Sequence, residues 1–219
     1  MGRKINPNVF RSNNLTKSYS NWFDKKNYNE KIEKDFVIRK IVQHFFNKLN
    51  INLGYIEISR KELIINNLKI YKLYINIFIL KNSIIQKITN KNKNNLIKKI
   101  EKSETSIINK NNIIINFINK SNKIFANYFL QNINEKIKKR INPKLVIKTY
   151  IQKIKKYKII KGLRIQISGR INGKEKASNL NYTIGSLKLQ TIDSKIDFAQ
   201  KSIITKDGLI GIKIWLRFQ

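Results

Sequence analysis

The sequence predicts an α+β fold in which two small domains follow a basic N-terminal arm. Apolar residues recur at helical spacing in some stretches and alternate strictly with polar residues in others. The two kinds of stretch are interleaved along 219 residues. A hydrophobic content of 41% suffices for a core, and no internal repeat or Pro/Ser-rich linker interrupts the chain.

Residues 1–20 are basic, polar and without periodicity, and read as an extended arm that becomes ordered on a partner. A helix is expected from about Tyr28, with Ile38, Ile41, Val42, Phe45 and Leu49 on one buried face and a stop at Asn52-Leu53-Gly54. His44 lies at the flank of that face and reads as a surface residue. Residues 55–60 form a strand, Asn66-Asn67 a turn, and residues 72–80 a second strand with Leu73, Ile75, Ile77 and Ile79 on one side. A Lys/Asn-rich loop, a helix over 95–102 and an Ile-rich strand over 112–118 complete a domain spanning 21–119, with a boundary near Lys120.

The second domain, 120–219, opens with a helical stretch over 121–139 carrying Ile124, Tyr128, Ile133 and Ile137. Asn142-Pro143 reads as an N-cap followed by proline at the first helical position. The helix it starts places Val146, Tyr150 and Ile154 on one line and Lys144, Lys148 and Lys155 on another. Leu163, Ile165 and Ile167 alternate with Arg164, Gln166 and Ser168, a clear strand. Ser168-Gly169-Arg170 and Asn172-Gly173-Lys174 are turn chemistry, and residues 208–216 form a final strand with Trp215 as its aromatic anchor.

Charge decides the partner class. The chain carries 46 Lys+Arg against 13 Asp+Glu, net +33, distributed from end to end. A folded protein with that surplus repels itself unless it lies beside a polyanion, and long RNA rewards basic residues on every face. Ile, Lys and Asn dominate the composition. All three are spelled by A/T-rich codons, the signature of a compact, A/T-biased genome such as an organelle's. Single lysines therefore say little. The few arginines say more, because the guanidinium forks onto phosphate.

Several classes are excluded. The absence of cysteine rules out disulfides and thiolate sites, and one histidine rules out a His-rich metal cluster, so no metal or cofactor is expected. The N-terminus lacks the apolar region of a signal peptide, and the Ile-rich stretch 71–80 is too short to span a bilayer. The expectation is a soluble protein with no membrane partner and no small-molecule substrate. Acidic residues are few: Asp193 and Asp197 are one helical turn apart, with Glu175 nearby in sequence, and each can simply balance a local Lys. Without a nucleophile–base pair or a phosphate-cradling glycine loop, an enzyme is not expected.

Four segments carry a family resemblance. Gly2-Arg3-Lys4-Ile5-Asn6-Pro7-Asn8-Val9-Phe10-Arg11 is similar to the opening of the bacterial-type third protein of the small ribosomal subunit, the S-three family. Ser20-Asn21-Trp22-Phe23 with Lys26-Asn27-Tyr28 resembles a variant typical of plastids. The run from Lys161-Gly162-Leu163 through Gly169-Arg170-Ile171-Asn172-Gly173-Lys174-Glu175 resembles the second-domain signature, and Asp207-Gly208-Leu209-Ile210-Gly211-Ile212-Lys213-Ile214-Trp215 the closing strand. The resemblance implies an arm, a KH-like RNA-binding domain of type II order and a C-terminal α+β domain. It also implies a place in the head of the small subunit, on rRNA, near the channel through which mRNA enters, beside the S-ten and S-fourteen families.

Site residues follow from that resemblance. The Gly-x-x-Gly loop of a KH domain falls at Lys87-Ile88-Thr89-Asn90, where both glycines are absent, so a degenerate loop is expected. Lys87, Lys91 and Lys93 supply charge there, against the alternative of a solvated loop. Lys144 and Lys148 match the basic helix lining the mRNA path, although the pattern departs at Leu145 and Thr149. Arg3, Lys4, Asn6 and Arg11 of the arm, stiffened by Pro7, together with Arg140, Arg164, Arg170 and Lys174, are the expected rRNA contacts. Trp22, Phe23 and Trp215 are base-stacking candidates or packing anchors, with packing favoured for Trp215. The expected function is a structural constituent of an organellar small ribosomal subunit during translation. The alternatives are a free-standing RNA chaperone or splicing cofactor, and a nucleic-acid-nicking enzyme. The expected compartment is a plastid, a non-photosynthetic one included, with a mitochondrion or a reduced bacterium as alternatives.

Overall fold

Periodicity and turn chemistry resolve into five helices and eight strands among the residues that a computed structural model describes: 5–12, 19–65, 68–79, 90–103, 112–119, 125–155 and 159–219. In chain order they are α1 (Pro7–Phe10), β1 (Ser20–Asn21), α2 (Tyr28–Lys48), β2 (Ile56–Ile65), β3 (Leu68–Ile79), α3 (Asn90–Ser103) and β4 (Ile113–Asn119). Then follow α4 (Ala126–Lys138), α5 (Pro143–Lys155), β5 (Ile160–Gly169), a 3-10 turn at Ile171–Gly173, β6 (Ser178–Gly185), β7 (Ile196–Thr205) and β8 (Gly208–Phe218). The turn signal Asn66-Asn67 and Ile124 lie outside the described residues.

The chain divides into two units. Ser18–Ile124 is one; Met1–Lys17 and Phe125–Gln219 together are the other. The first unit holds the sheet β1-β2-β3-β4, with β2 antiparallel to β3 and β4 parallel to β3. Leu73, Ile75, Ile77 and Ile79 all face its core, as their alternation predicts. From α2, Ile38, Val42 and Phe46 are fully buried, whereas Phe45 only packs against the core and Leu49 is exposed. The buried line runs through 38, 42 and 46, and the helix ends two residues beyond Phe46, at Lys48. The chain then turns at Asn50, whose φ is 53°.

One carboxylate ties this unit together. Asp35, on α2 and buried, accepts from Ser20 Oγ at 2.9 Å, Trp22 Nε1 at 2.7 Å and Arg60 Nη2 at 2.7 Å. It thereby joins the entering chain, the long helix and β2. Beside it, Arg39 donates to the carbonyls of Ile56 and Tyr19 and to Ser20 Oγ. Burial pulls the Arg39 pKa down, and Asp35 opposes that shift. Removing one member of a buried, hydrogen-bonded pair leaves the other charge desolvated and alone. Asp35→Ala is therefore expected to destabilise the Ser18–Ile124 unit by about 3–5 kcal/mol in denaturant unfolding.

The second unit holds the antiparallel sheet β6-β5-β8-β7, with α4 and α5 on one face. Leu163, Ile165 and Ile167 of β5 and Ile210, Ile212, Ile214 and Leu216 of β8 form the floor. Phe129, Leu130, Ile133 and Ile137 of α4 and Val146, Ile147, Tyr150 and Ile154 of α5 cover it. Gly162 and Gly185 are register partners, and a Cβ on Gly185, at φ 66°, would meet the Lys161 carbonyl at 2.1 Å. This crossing leaves no room for a side chain.

Strands β6 and β7 overturn the helical-turn reading of Asp193 and Asp197. Asp193 sits in the turn before β7, and Asp197 is the second residue of that strand. Asp197 Oδ2 accepts from the amide of Ala126 at 2.7 Å, capping α4, whose own N-cap residue Phe125 offers no side-chain hydrogen bond. Burial pushes the Asp197 carboxyl up to about 6, against hydrogen bonds from Ala126, Phe198 and Asn8. Between the ordinary value of 3.8 and about 6 the folded state holds a proton that the unfolded state has lost. This contribution is thus expected to stabilise the fold at low pH and to fade as pH rises through 6. Asp197→Asn should flatten that part of a melting-midpoint-versus-pH curve.

Candidate nucleic-acid interface

Where each guanidinium points separates fold from function. Seven of the eight arginines lie in described residues. Arg39 and Arg60 serve the Asp35 cluster. Arg11, read from the sequence as an rRNA contact, is 1% exposed and turned inward. Its Nη2 donates to the carbonyls of Leu189 at 2.7 Å and Thr191 at 2.8 Å and to Ser194 Oγ at 3.2 Å, and Nη1 donates to Pro7 O at 3.2 Å. Carbonyl oxygens, with no carboxylate among them, compensate this cation, and burial pulls its pKa down. The expectation for Arg11 is corrected: a side chain enclosed by its own protein cannot fork onto phosphate.

The arm is corrected with it. Asn6 uses its side-chain oxygen to cap α1 through the Asn8 amide, at 3.0 Å. Asn8 pairs with the edge of β7 through both amide and carbonyl of Phe198, at 3.1 and 3.0 Å. Residues 5–12 thus fold onto the C-terminal unit instead of extending freely. Arg3 and Lys4 lie outside the described residues, as do Lys87, Ile88 and Thr89 of the degenerate loop; Asn90 opens α3.

Other predicted cations face outward. Arg140 is exposed just beyond α4 at φ 59°. Arg170 is exposed and donates from Nε to the carbonyl of exposed Lys174 at 2.9 Å, closing the turn in which Asn172 and Gly173 both have positive φ. Arg164 lies over the Trp215 ring, 5.4 Å from its centroid. Trp215 itself is buried against Phe198, so it is a packing anchor. Trp22 is held by Asp35, and Phe23 is 81% exposed.

Helix α5 presents its lysines by packing. Asn142 caps it, with Oδ1 accepting from the Lys144 amide at 3.0 Å. Val146, Ile147, Tyr150 and Ile154 turn into the core, which leaves Lys144, Leu145, Lys148 and Thr149 exposed on the opposite side. Thr149 returns its hydroxyl to the Val146 carbonyl at 2.8 Å. No acidic residue occupies the first turn, so no carboxylate of that turn offsets the positive helix end near Lys144.

Comparison of the sequence with known proteins matches the chain to a family. Residues 133–216 match the description "Ribosomal protein S3, C-terminal domain". The chain is 33% identical over 230 residues to small ribosomal subunit protein uS3c of Euglena longa, covering 99% of both chains. It is 35% identical over 215 residues to uS3 of Elm witches'-broom phytoplasma, covering 98% of this chain and 82% of that protein. The chain belongs to the uS3 family. As a uS3 protein it is a structural, non-enzymatic constituent of the small ribosomal subunit, bound to rRNA and acting in translation, and its full-length relatives include the organellar type.

The turn-in of Arg11 has a signature that an RNA contact would lack. Arg11→Ala is expected to destabilise the C-terminal unit by about 3 kcal/mol, since several buried carbonyls lose their donor. Near-unchanged rRNA affinity of the folded variant, measured well below its melting midpoint, separates this structural role from phosphate binding.

Proposed function

We propose that this uS3 protein binds rRNA in the head of the small subunit of a plastid ribosome and lines the channel through which mRNA enters. The exposed Lys144 and Lys148 of α5 carry the second part of this reading. They stand four residues apart on one helix face, held outward by the buried line behind them, with no carboxylate in the first turn to neutralise them. Point charges so placed hold an mRNA backbone and hinder a base-paired segment from passing unopened.

For rRNA, Arg140, Arg164, Arg170 and Lys174 present cations at the surface of the C-terminal unit, with Arg3 and Lys4 contributing from the arm. Neighbours in the head are of the S-ten and S-fourteen families. Full-length similarity to Euglena longa uS3c, together with the A/T-biased composition, supports the plastid.

Two outcomes test this reading. The double variant Lys144→Ala/Lys148→Ala is expected to join small subunits at the wild-type level. Toeprinting should then show several-fold weaker handling of hairpin-containing mRNA and little change with unstructured mRNA. Failure of assembly would instead make α5 an rRNA-bound helix. The isolated protein is also expected to lose rRNA affinity by about a thousandfold between roughly 50 and 200 mM salt, because phosphate neutralisation dominates. A shallow salt slope in filter binding would oppose the RNA-binding assignment.

A further inference from the structure

Helices α4 and α5 cover one face of the C-terminal sheet, and α1 is tied to the β7 edge through Asn8. Register fixes what stands on the other face. Asn181, Gln166, Lys213 and Gln200 are paired in succession across β6, β5, β8 and β7. The adjacent row is Thr183, Arg164, Trp215 and Phe198. Residues paired directly across strands share a face, so amides, a hydroxyl and two cations are arrayed over one face of the sheet. Asn181, Thr183, Lys213 and Gln200 are exposed. The one carboxylate in these four strands, Asp197, is paired with Leu216 on the opposite face, where it caps α4.

Arg164 lies near the centre of this surface. Trp215 supports its guanidinium from below, and no hydrogen bond or ion pair engages it among the described residues; its Nε is buried without a partner. By contrast, Arg217 on the same face donates to Ser186 at 2.7 Å and 3.1 Å. Arg164 is thus oriented by packing while its fork of donors is left open.

We propose that this helix-free face docks the shallow minor groove of an RNA helix, with Arg164 as its phosphate clamp; the inference rests on the rRNA-binding reading above. A protein partner would call for a broad apolar patch, and here the exposed apolar groups are Ile204 and Leu209, paired at the hairpin tip. Single-strand stacking would call for an open aromatic ring; Trp215 is buried, and Phe198 is half-buried against it. Amide and hydroxyl side chains arrayed on one sheet face fit the 2′-hydroxyls and base edges that a wide, shallow RNA minor groove displays.

The test adds three negative charges to the face in the full-length protein: Gln166→Glu, Asn181→Asp and Gln200→Glu together. The control places the same charge on exposed α2 positions, Gln43→Glu, His44→Glu and Asn47→Asp. Binding is measured to a small-subunit rRNA helix and to a DNA duplex of the same sequence. The face variant is expected to lose about tenfold in affinity for the RNA helix at fixed salt, and the control about twofold. Wild type should prefer the RNA duplex over the DNA duplex. Equal losses in both variants, an unaffected face variant, or indifference to the 2′-hydroxyl would overturn the proposal. So would a face variant that binds rRNA normally yet is excluded from subunits, which would make the face a protein contact. Wild type that binds no rRNA would overturn the broader reading itself. Should the triple variant melt early, Arg164→Lys, which keeps the charge and removes the fork, is expected to lose about threefold; wild-type affinity there would refute the clamp.

Discussion

Scarcity of carboxylates governs this protein. With 13 acidic side chains among 46 basic ones, most cations cannot be paired within the chain. The acids that enter the interior are therefore placed where one group does several jobs. Asp35, on α2, holds a serine and a tryptophan of the entering chain and an arginine of β2, and Asp197 caps a helix from a strand. Where no acid is available, backbone carbonyls substitute, as they do around Arg11. The exterior is left uncompensated, and an external polyanion relieves its self-repulsion.

The same shortage explains how the arm is anchored. Asn8 and Arg11 fasten residues 5–12 to β7 and to the loop before it using amide and guanidinium donors and backbone acceptors. Spatially, the arm is the first piece of the C-terminal unit, and Ser18–Ile124 is inserted between that piece and the rest. Sequence order and spatial order differ because those bonds span 177 to 190 positions.

That span marks the limit of what was legible in the sequence. Local patterns were readable: the buried Leu73, Ile75, Ile77 and Ile79, the Asn142 cap and the alternation of β5 each depend on neighbours within a few residues. Strand β6 was equally local, since Leu180, Tyr182 and Ile184 alternate with Asn179, Asn181 and Thr183, but turn chemistry before it masked the signal. Strand β7 was less so, because Asp197 and Lys201 occupy the helix-side positions of an edge strand and break the apolar alternation. Arg11 could not be read at all: nothing near it in the chain shows that carbonyls from residues 188–191 will surround it.

Arginine then becomes the discriminating residue for function as well as for fold. Phosphate neutralisation tolerates almost any distribution of lysine, so a genome that enriches lysine can raise affinity without specifying where RNA lies. Orientation on an RNA surface is a different demand, met by donors held in fixed directions by packing or by backbone geometry. Asp35, the Arg11 carbonyl cage and the Ser186 contact account for four arginines inside the protein. Those that remain outward, Arg140, Arg164 and Arg170, are each fixed by something local: a left-handed backbone, a tryptophan ring, a closed turn. Attracting RNA through a diffuse lysine field and orienting it through donors held by packing are separable requirements.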